Sequence, residues 1–475
     1  MQKSFYYFLF VFALFIGICA PSLFSDGMFM DGLLYANIAK NMAHGMGSFW
    51  RPFLTDTFFP VFYEHPPLAF GLQSIFFRIL GNSILTERLY SLFSYILCAW
   101  LMILIWKELG GKTHTAWTAL LYWIIIPIVT WACANNMLEN TLSVFVCASV
   151  FFFVRSVNTG HHRYVFFSGL CLAAAFLTKG FVAFFPWSLP FWYFLFMRKS
   201  FSAMHMLISS MIFVFSTIGS LVVLFILCPA AFSNITNYLQ TQVINSLQNT
   251  VTVDNRFFIV RRLLSEILPS LFLMGLIIVY AKKNIPFCIT SIRRPQLYVF
   301  FCLALSGVLP IMISLKQNGF YILPSLPFFA IAMALVTEKA AEHYMAGPAI
   351  SYFNKIKILS LGLAIAAVMF SLMQIQRIGR DKTKIRDMYK ILAIVPQKTI
   401  VGVCPEMYLE WSLHGYYHRY GMVSLDSTSK KRYEYFIAPD NCNADSLNKY
   451  YVPVDAGTER YMLFRLRDDI QINPN

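Results

Sequence analysis

The chain has 475 residues, of which 58% are hydrophobic, 17% aromatic and only 13% charged. Over this length so apolar a composition excludes a soluble globular protein and indicates a polytopic α-helical membrane protein. The net charge of +15 would suggest nucleic acid in a soluble chain, but the cations fall in short loops between apolar runs, the pattern of positive-inside topology and anionic lipid contact, so no nucleic-acid partner is expected.

Lys3 precedes a first apolar run, Phe5 to Phe24, with no small-residue cleavage motif after a short core, so it reads as a retained span. A first outer loop is expected over 25–87, and its semi-polar part, Ser25 to Glu64, carries Asp26, Asp31, Lys40, Arg51, Asp56 and Glu64. Within it Leu33, Leu34, Ile38 and Met42 recur at helical spacing, which predicts a helix lying in the membrane interface. Tyr63-Glu64-His65-Pro66-Pro67-Leu68 then sets two ionisable side chains before two prolines. The prolines hold that corner out of the helical region. A carboxylate at a membrane surface is costly without a role or a partner, though Glu64 could also cap the helix that follows. Residues 68–80 are apolar but short for a crossing.

Further spans are expected near 88–106, 114–130, 137–154, 164–178, 181–197, 206–228, 263–281, 296–314, 320–337 and 356–374, about eleven with the first. If the N-terminus is cytoplasmic and 68–80 does not cross, every cytoplasmic loop is basic: Lys107 and Lys112; Arg155 and Arg163; Arg198 and Lys199; Lys282, Lys283, Arg293 and Arg294; Lys339, Lys355 and Lys357. Asp31, Glu64-His65, Asn135–Glu139, Thr178–Gly180, the loop Pro229–Arg262 and Lys316–Gly319 then share the outer face. Acids and cations converging on one face suggest a site.

Residues 375–475 carry 15 Lys or Arg and 12 Asp or Glu, a density that fits a small soluble α/β domain on the outer face. Strands are expected at Thr399–Val403, Tyr433–Ile437 and Arg460–Leu466, and a helix at Glu406–Arg419 begun by Pro405. The domains expected are thus 1–374, transmembrane, and 375–475, extracytoplasmic. Ten cysteines are scattered with no CxxC pair and mostly lie in apolar spans. Cys404 and Cys442, in the polar region, could pair in an oxidising compartment.

Four stretches follow in order: Asp31-Gly32-Leu33-Leu34-Tyr35-Ala36-Asn37-Ile38-Ala39, Phe62-Tyr63-Glu64-His65-Pro66-Pro67-Leu68, Phe176-Leu177-Thr178-Lys179-Gly180 and Phe320-Tyr321-Ile322-Leu323-Pro324-Ser325-Leu326-Pro327. As an ordered set, over about residues 1–340, they resemble the GT-C glycosyltransferases of the protein O-mannosyltransferase and bacterial aminoarabinose (lipid A) transferase superfamily. The resemblance implies a GT-C-like fold, a polyprenyl-phosphate-linked sugar donor and an extracytoplasmic lipid, glycan or protein acceptor. It also implies inverting transfer and, for a bacterial enzyme, an inner-membrane location with a periplasmic active site. By motif, Asp31 matches the acid that opens the first outer loop and is the candidate general base. Glu64 matches the acid of the family's Glu-Lys-Pro-Pro element, and Tyr321 the tyrosine near the carrier phosphate. The sequence departs from the pattern at His65, which stands for Lys, at Leu34, which stands for Arg, and at Asn136, which stands for the second acid; Glu139, one turn on, is a candidate substitute.

Such chemistry needs a base for the acceptor hydroxyl and cations for the leaving phosphate. Asp31, Glu64 and Glu139 are the candidate catalytic acids. His65, Lys179, Arg256, Arg261, Arg262, Lys316 and Tyr321 are the candidate carrier-phosphate ligands. Against these readings, Arg261 and Arg262 could anchor a helix at the interface, and Lys179 could cap a helix C-terminus. No HExxH or Cys/His cluster indicates a metal, and no cofactor is expected. A transporter or flippase of lipid-linked sugars is the alternative; it calls for broken helices and ionisable residues at mid-membrane. A non-catalytic assembly protein is a third reading.

Overall fold

A computed structural model describes residues 2–244, 251–284, 293–346, 350–428, 431–439 and 447–470. In chain order, α1 (Gln2–Leu23) is followed by α2 (Met30–Ala43), the strand pair β1 (Gly47–Ser48) and β2 (Arg51–Pro52), α3 (Leu68–Leu80), α4 (Thr86–Glu108), α5 (Trp117–Ile124), α6 (Pro127–Ala134), α7 (Leu138–Thr159), α8 (His162–Lys179), α9 (Leu189–Phe196), α10 (Ala203–Leu227) and α11 (Pro229–Tyr238). The long helices Phe258–Asn284, Arg294–Val308, Leu326–Ala346 and Ile350–Leu372 come next, and then a region of short helices and five strands. The chain forms two compact units: Met1–Leu23, Tyr63–Ala69 and Arg88–Gln374 in one, Phe24–Phe62, Phe70–Glu87 and Ile375–Asn475 in the other.

The first unit is built of apolar helices. Nine helical segments among the described residues are long and apolar enough to cross a membrane, or ten if the bent pair α5–α6 counts as one. Pro127 lacks the N–H that would continue α5, and the chain turns by 81° there. The eleven expected differ by one segment, His162–Phe196, which is 35 residues long. As continuous helix it would measure about 52 Å, well beyond a ~30 Å hydrocarbon core. Its backbone breaks at Lys179 (φ −147°, ψ 13°) and Gly180 (φ 77°, ψ −146°), where the sequence placed a turn between two spans. A methyl group on Gly180 would collide with the Tyr238 hydroxyl, so the corner needs glycine for both its positive φ and its space. Arg88 at the head of α4 donates to the carbonyls of Ser22 and Ala134, the latter at 3.1 Å, and so ties the ends of α1 and α6 together.

The second unit packs most of the stretch between α1 and α4 with the C-terminal residues. Its sheet runs β4 (Ser424–Asp426), β3 (Ile400–Val403), β5 (Tyr435–Pro439), β7 (Tyr461–Leu466), β6 (Tyr451–Val454). β3 is parallel to β4 and β5, while β7 is antiparallel to β5 and β6. Val401, Val403, Leu425, Ile437 and Leu463 form its core with Ile385, Met388, Tyr416 and Tyr417. The expected helix Glu406–Arg419 is two, Pro405–Tyr408 and Trp411–Gly421, parted at Leu409-Glu410. β4 and β6 were not foreseen: one has three residues, and the other carries Pro453, which an edge strand tolerates. Cys404 is disulfide-bonded; Cys442, its expected partner, lies outside the described residues.

α2 corrects one expectation. It is not a surface helix, because every residue from Gly32 to Met42 is buried. Its polar face is covered within the unit instead. Lys40 Nζ donates to the carbonyls of His418 (2.7 Å) and Arg419 (2.9 Å), and Asn41 Nδ2 to that of Leu54 (2.8 Å). Arg419 pairs with Glu87 at 2.8 Å, each side chain 1% exposed. Burial, then the Arg419 charge, pull the Lys40 ammonium down to about 7, with Glu87 opposing. α3, with 13 residues, is about 20 Å long and too short to cross.

Candidate active site

Within the first unit, residues from distant stretches meet. Asn136 adopts φ 50°, a left-handed conformation that asparagine tolerates, and so turns the chain into α7. Glu139 follows in the first turn of α7, and Lys179 stands in the last turn of α8. Their side chains form an ion pair, 1% and 7% exposed respectively. Each charge also suits the helix end that carries it. The Lys179 ammonium lies 5.3 Å and 5.1 Å from the ring centroids of Phe320 and Tyr321, cation–π distances. Glu139 Oε2 has no hydrogen-bond partner among the described residues.

Around this pair the loops are stitched by amides. Lys316 Nζ donates to Gln242 Oε1, in the segment Leu239–Ile244 that continues α11. Asn318 Nδ2 donates to Tyr321 Oη at 3.2 Å. Gln317 is 1% exposed and joins two stretches. Its Oε1 accepts from Ile259 N (3.0 Å), and its Nε2 donates to the carbonyls of Arg256 (3.0 Å) and Ser314 (2.8 Å). Tyr238 Oη lies 3.5 Å from the Lys179 carbonyl. Burial pushes that phenol up, and Tyr321 adds to the shift.

The Glu64-His65 corner is non-helical, as Pro66 and Pro67 require, and α3 begins directly after it. Burial, then the Lys179 charge, then that of Lys316, hold the His65 imidazole well below its ordinary value. His65 is therefore neutral at pH 7 in this arrangement and cannot be counted as a cation.

The other expected residues are placed as follows. Arg262 pairs at 2.6 Å with Glu266, one turn on, and Glu266 also accepts from Ile128 N at 2.7 Å. Arg262 lies over Gly319, where a Cβ would come 2.9 Å from its Nε. Arg256 and Arg261 are exposed. Asp31 belongs to the second unit, half-buried in the first turn of α2. No group of three or more His, Cys, Asp or Glu able to hold a metal ion occurs among the described residues. Sequence reasoning placed Gln317 and Asn318 in a converging stretch without giving either a role, and did not single out Tyr238 or Gln242. Gln317 and Asn318 adjoin Lys316, but nothing in the sequence links Gln242 to it.

The whole-chain architecture has known counterparts. ArnT from Cupriavidus metallidurans bound to undecaprenyl phosphate superposes with a TM-score of 0.64 at 14% identity, covering 97% of this chain and 98% of that one. Its apo state gives 0.66 at 12% identity, with 96% of each chain covered. The fold is that of the GT-C glycosyltransferases. Residues 64–224 match the family described as dolichyl-phosphate-mannose-protein mannosyltransferase. That match opens on Glu64 and contains Glu139 and Lys179 but spans about a third of the chain. No curated protein matches the chain in sequence. The long apolar helices mark this chain as an integral membrane protein.

Proposed function

We propose that the chain is an inverting, integral-membrane glycosyltransferase that moves a sugar from a polyprenyl-phosphate carrier to an extracytoplasmic lipid, glycan or protein. The acceptor oxygen attacks the anomeric carbon from the face opposite the phosphate. Its proton passes to a carboxylate, and the phosphate leaves with the electron pair of the broken C–O bond. Asp31 is the proposed base and Glu64 orients the acceptor. Lys179, Lys316 and Tyr321 hold the phosphate, and His65 faces it as a neutral hydrogen-bonding ring. Arg256, Arg261 and Arg262 stand along the carrier's approach, Arg262 through exchange of its Glu266 partner. Glu139 acts by holding Lys179 rather than as a second base.

The observation that carries this reading is the meeting of two lysines, a tyrosine and a histidine from distant stretches of the first unit. Preorganised donors of this kind stabilise charge that develops on a leaving group. That an ArnT of the same fold was captured with undecaprenyl phosphate supports a lipid phosphate as the ligand. Localisation in a bacterial inner membrane, with this site on the periplasmic side, and division at 374/375 into membrane and extracytoplasmic parts, belong to the same proposal.

The test is a direct assay with a polyprenyl-phosphate sugar and a membrane extract as acceptor. Wild-type protein should release polyprenyl phosphate and label an acceptor covalently, and Lys316→Met should lose most of that activity while remaining folded. Movement of intact lipid-linked sugar across vesicles without covalent transfer would replace the enzyme with a flippase.

A further inference from the structure

α7 and α8 carry Glu139 and Lys179 at one end of their hairpin. Arg155 lies 16 residues beyond Glu139 on α7, and Arg163 lies 16 residues before Lys179 on α8. Each is therefore about 24 Å along its helix from the ion pair, near the opposite membrane surface.

At that end two guanidiniums, those of Arg155 and Arg163, approach Tyr164, each Cζ 5.1 Å from its ring centroid. Arg163 Nη2 lies 3.5 Å from Tyr164 Oη. The acid within reach is Glu108, 3.8 Å from Arg155 Nη1, and it also accepts from Asn158 at 2.9 Å. Arg163 enters no ion pair among the described residues, and the enclosed Nε–H of Arg155 has no acceptor among them. Positive charge here exceeds its compensation.

Directly beneath the cations the surface is aromatic. Phe152 stacks on Tyr164 (6.4 Å, 14°) and meets Phe167 at 5.8 Å. Phe166 and Phe167 are 47% and 44% exposed. They lie three and four residues after Arg163, and Phe152 three before Arg155, so cations and rings share helix faces. A pair of guanidiniums at a helix end, with outward apolar rings one turn deeper, matches one ligand shape: an anionic head joined to acyl chains.

We infer that this end of the hairpin binds an anionic phospholipid, its phosphate between Arg155 and Arg163 and an acyl chain along Phe152 and Phe167. The site is separate from the proposed chemistry and stands whether or not the chain transfers sugars.

The test is thermal unfolding of the purified full chain in neutral detergent, titrated with phosphatidylglycerol, phosphatidylcholine or inorganic phosphate. Phosphatidylglycerol should raise the midpoint saturably, and the other two should not. Arg155→Gln with Arg163→Gln should weaken the phosphatidylglycerol affinity about 30-fold, from roughly one tenfold-or-less factor per surface cation. Arg163→Gln alone, at an exposed position, should fold normally and weaken it about fivefold. An equal shift with phosphatidylcholine, a full shift with phosphate alone, or unchanged affinity in Arg163→Gln would overturn the assignment.

Discussion

Breaking the Glu139–Lys179 pair tests whether the two helices are held as the structure shows. The side chains are 1% and 7% exposed, so solvent does not screen the interaction. Removing one partner of a buried pair costs about 3–5 kcal/mol, because the other charge is left uncompensated, whereas replacing both with apolar groups is close to neutral. Glu139→Leu should fall at the low end, about 3 kcal/mol, since Phe320 and Tyr321 still face the ammonium. Lys179→Met should fall higher, because the carboxylate left behind has an oxygen that already lacks a partner. The double variant should return to within about 1 kcal/mol of wild type, a coupling of roughly 5 kcal/mol or more. Unfolding in mixed detergent micelles measures all four proteins. Sugar transfer should stay low in the double variant despite its restored stability, which separates the structural role of the pair from the proposed role of Lys179. Single variants within about 0.5 kcal/mol of wild type would mean a solvated pair and refute the reasoning.

Other outcomes follow from the same geometry. The His65 imidazole is held well below its ordinary value, so the unfolded chain binds a proton that the folded chain does not once pH falls below about 6.5. Stability from His65 should thus be present above that pH and be lost on acidification, by at most about 1.4 kcal/mol per pH unit; His65→Asn should flatten this part of the curve, and an unchanged slope would argue against the assignment. Gly180→Ala should lower the melting midpoint and slow transfer, and Tyr238→Phe in the same protein should only partly restore it because the positive φ remains; full tolerance of Ala would contradict the observed corner. Cysteines introduced at Thr159 and Ser427 should react with an impermeant reagent from opposite sides of the membrane, and labelling of both from one side would overturn the proposed topology.

What the sequence disclosed depended on how local the determinant was. The spans follow from hydropathy, and the Glu64-His65 corner from two adjacent prolines. The bend at Pro127 was equally local, yet the apolar run 114–130 concealed it, because hydropathy does not register a missing N–H. Arg262–Glu266 is a four-residue spacing that was there to be read. α2 misled because its apolar spacing describes one face, while the polar face is buried by residues more than 370 positions away, His418 and Arg419. Glu139 and Lys179 were each legible as charged residues next to apolar runs. Their pairing was not, since it exists only when α7 packs on α8.

Sugar transfer by the Asp31→Asn protein tests the central claim most directly. Purified wild-type protein, given a polyprenyl-phosphate-linked sugar and an acceptor fraction, should form a covalent product detectable by mass analysis. Loss of a general base typically costs about 10²–10⁴-fold in rate, so Asp31→Asn should turn over that much more slowly while remaining folded and still binding the lipid donor. Near-wild-type turnover by Asp31→Asn would contradict the account and leave Asp31 as a first-turn acid of α2 with no part in the chemistry.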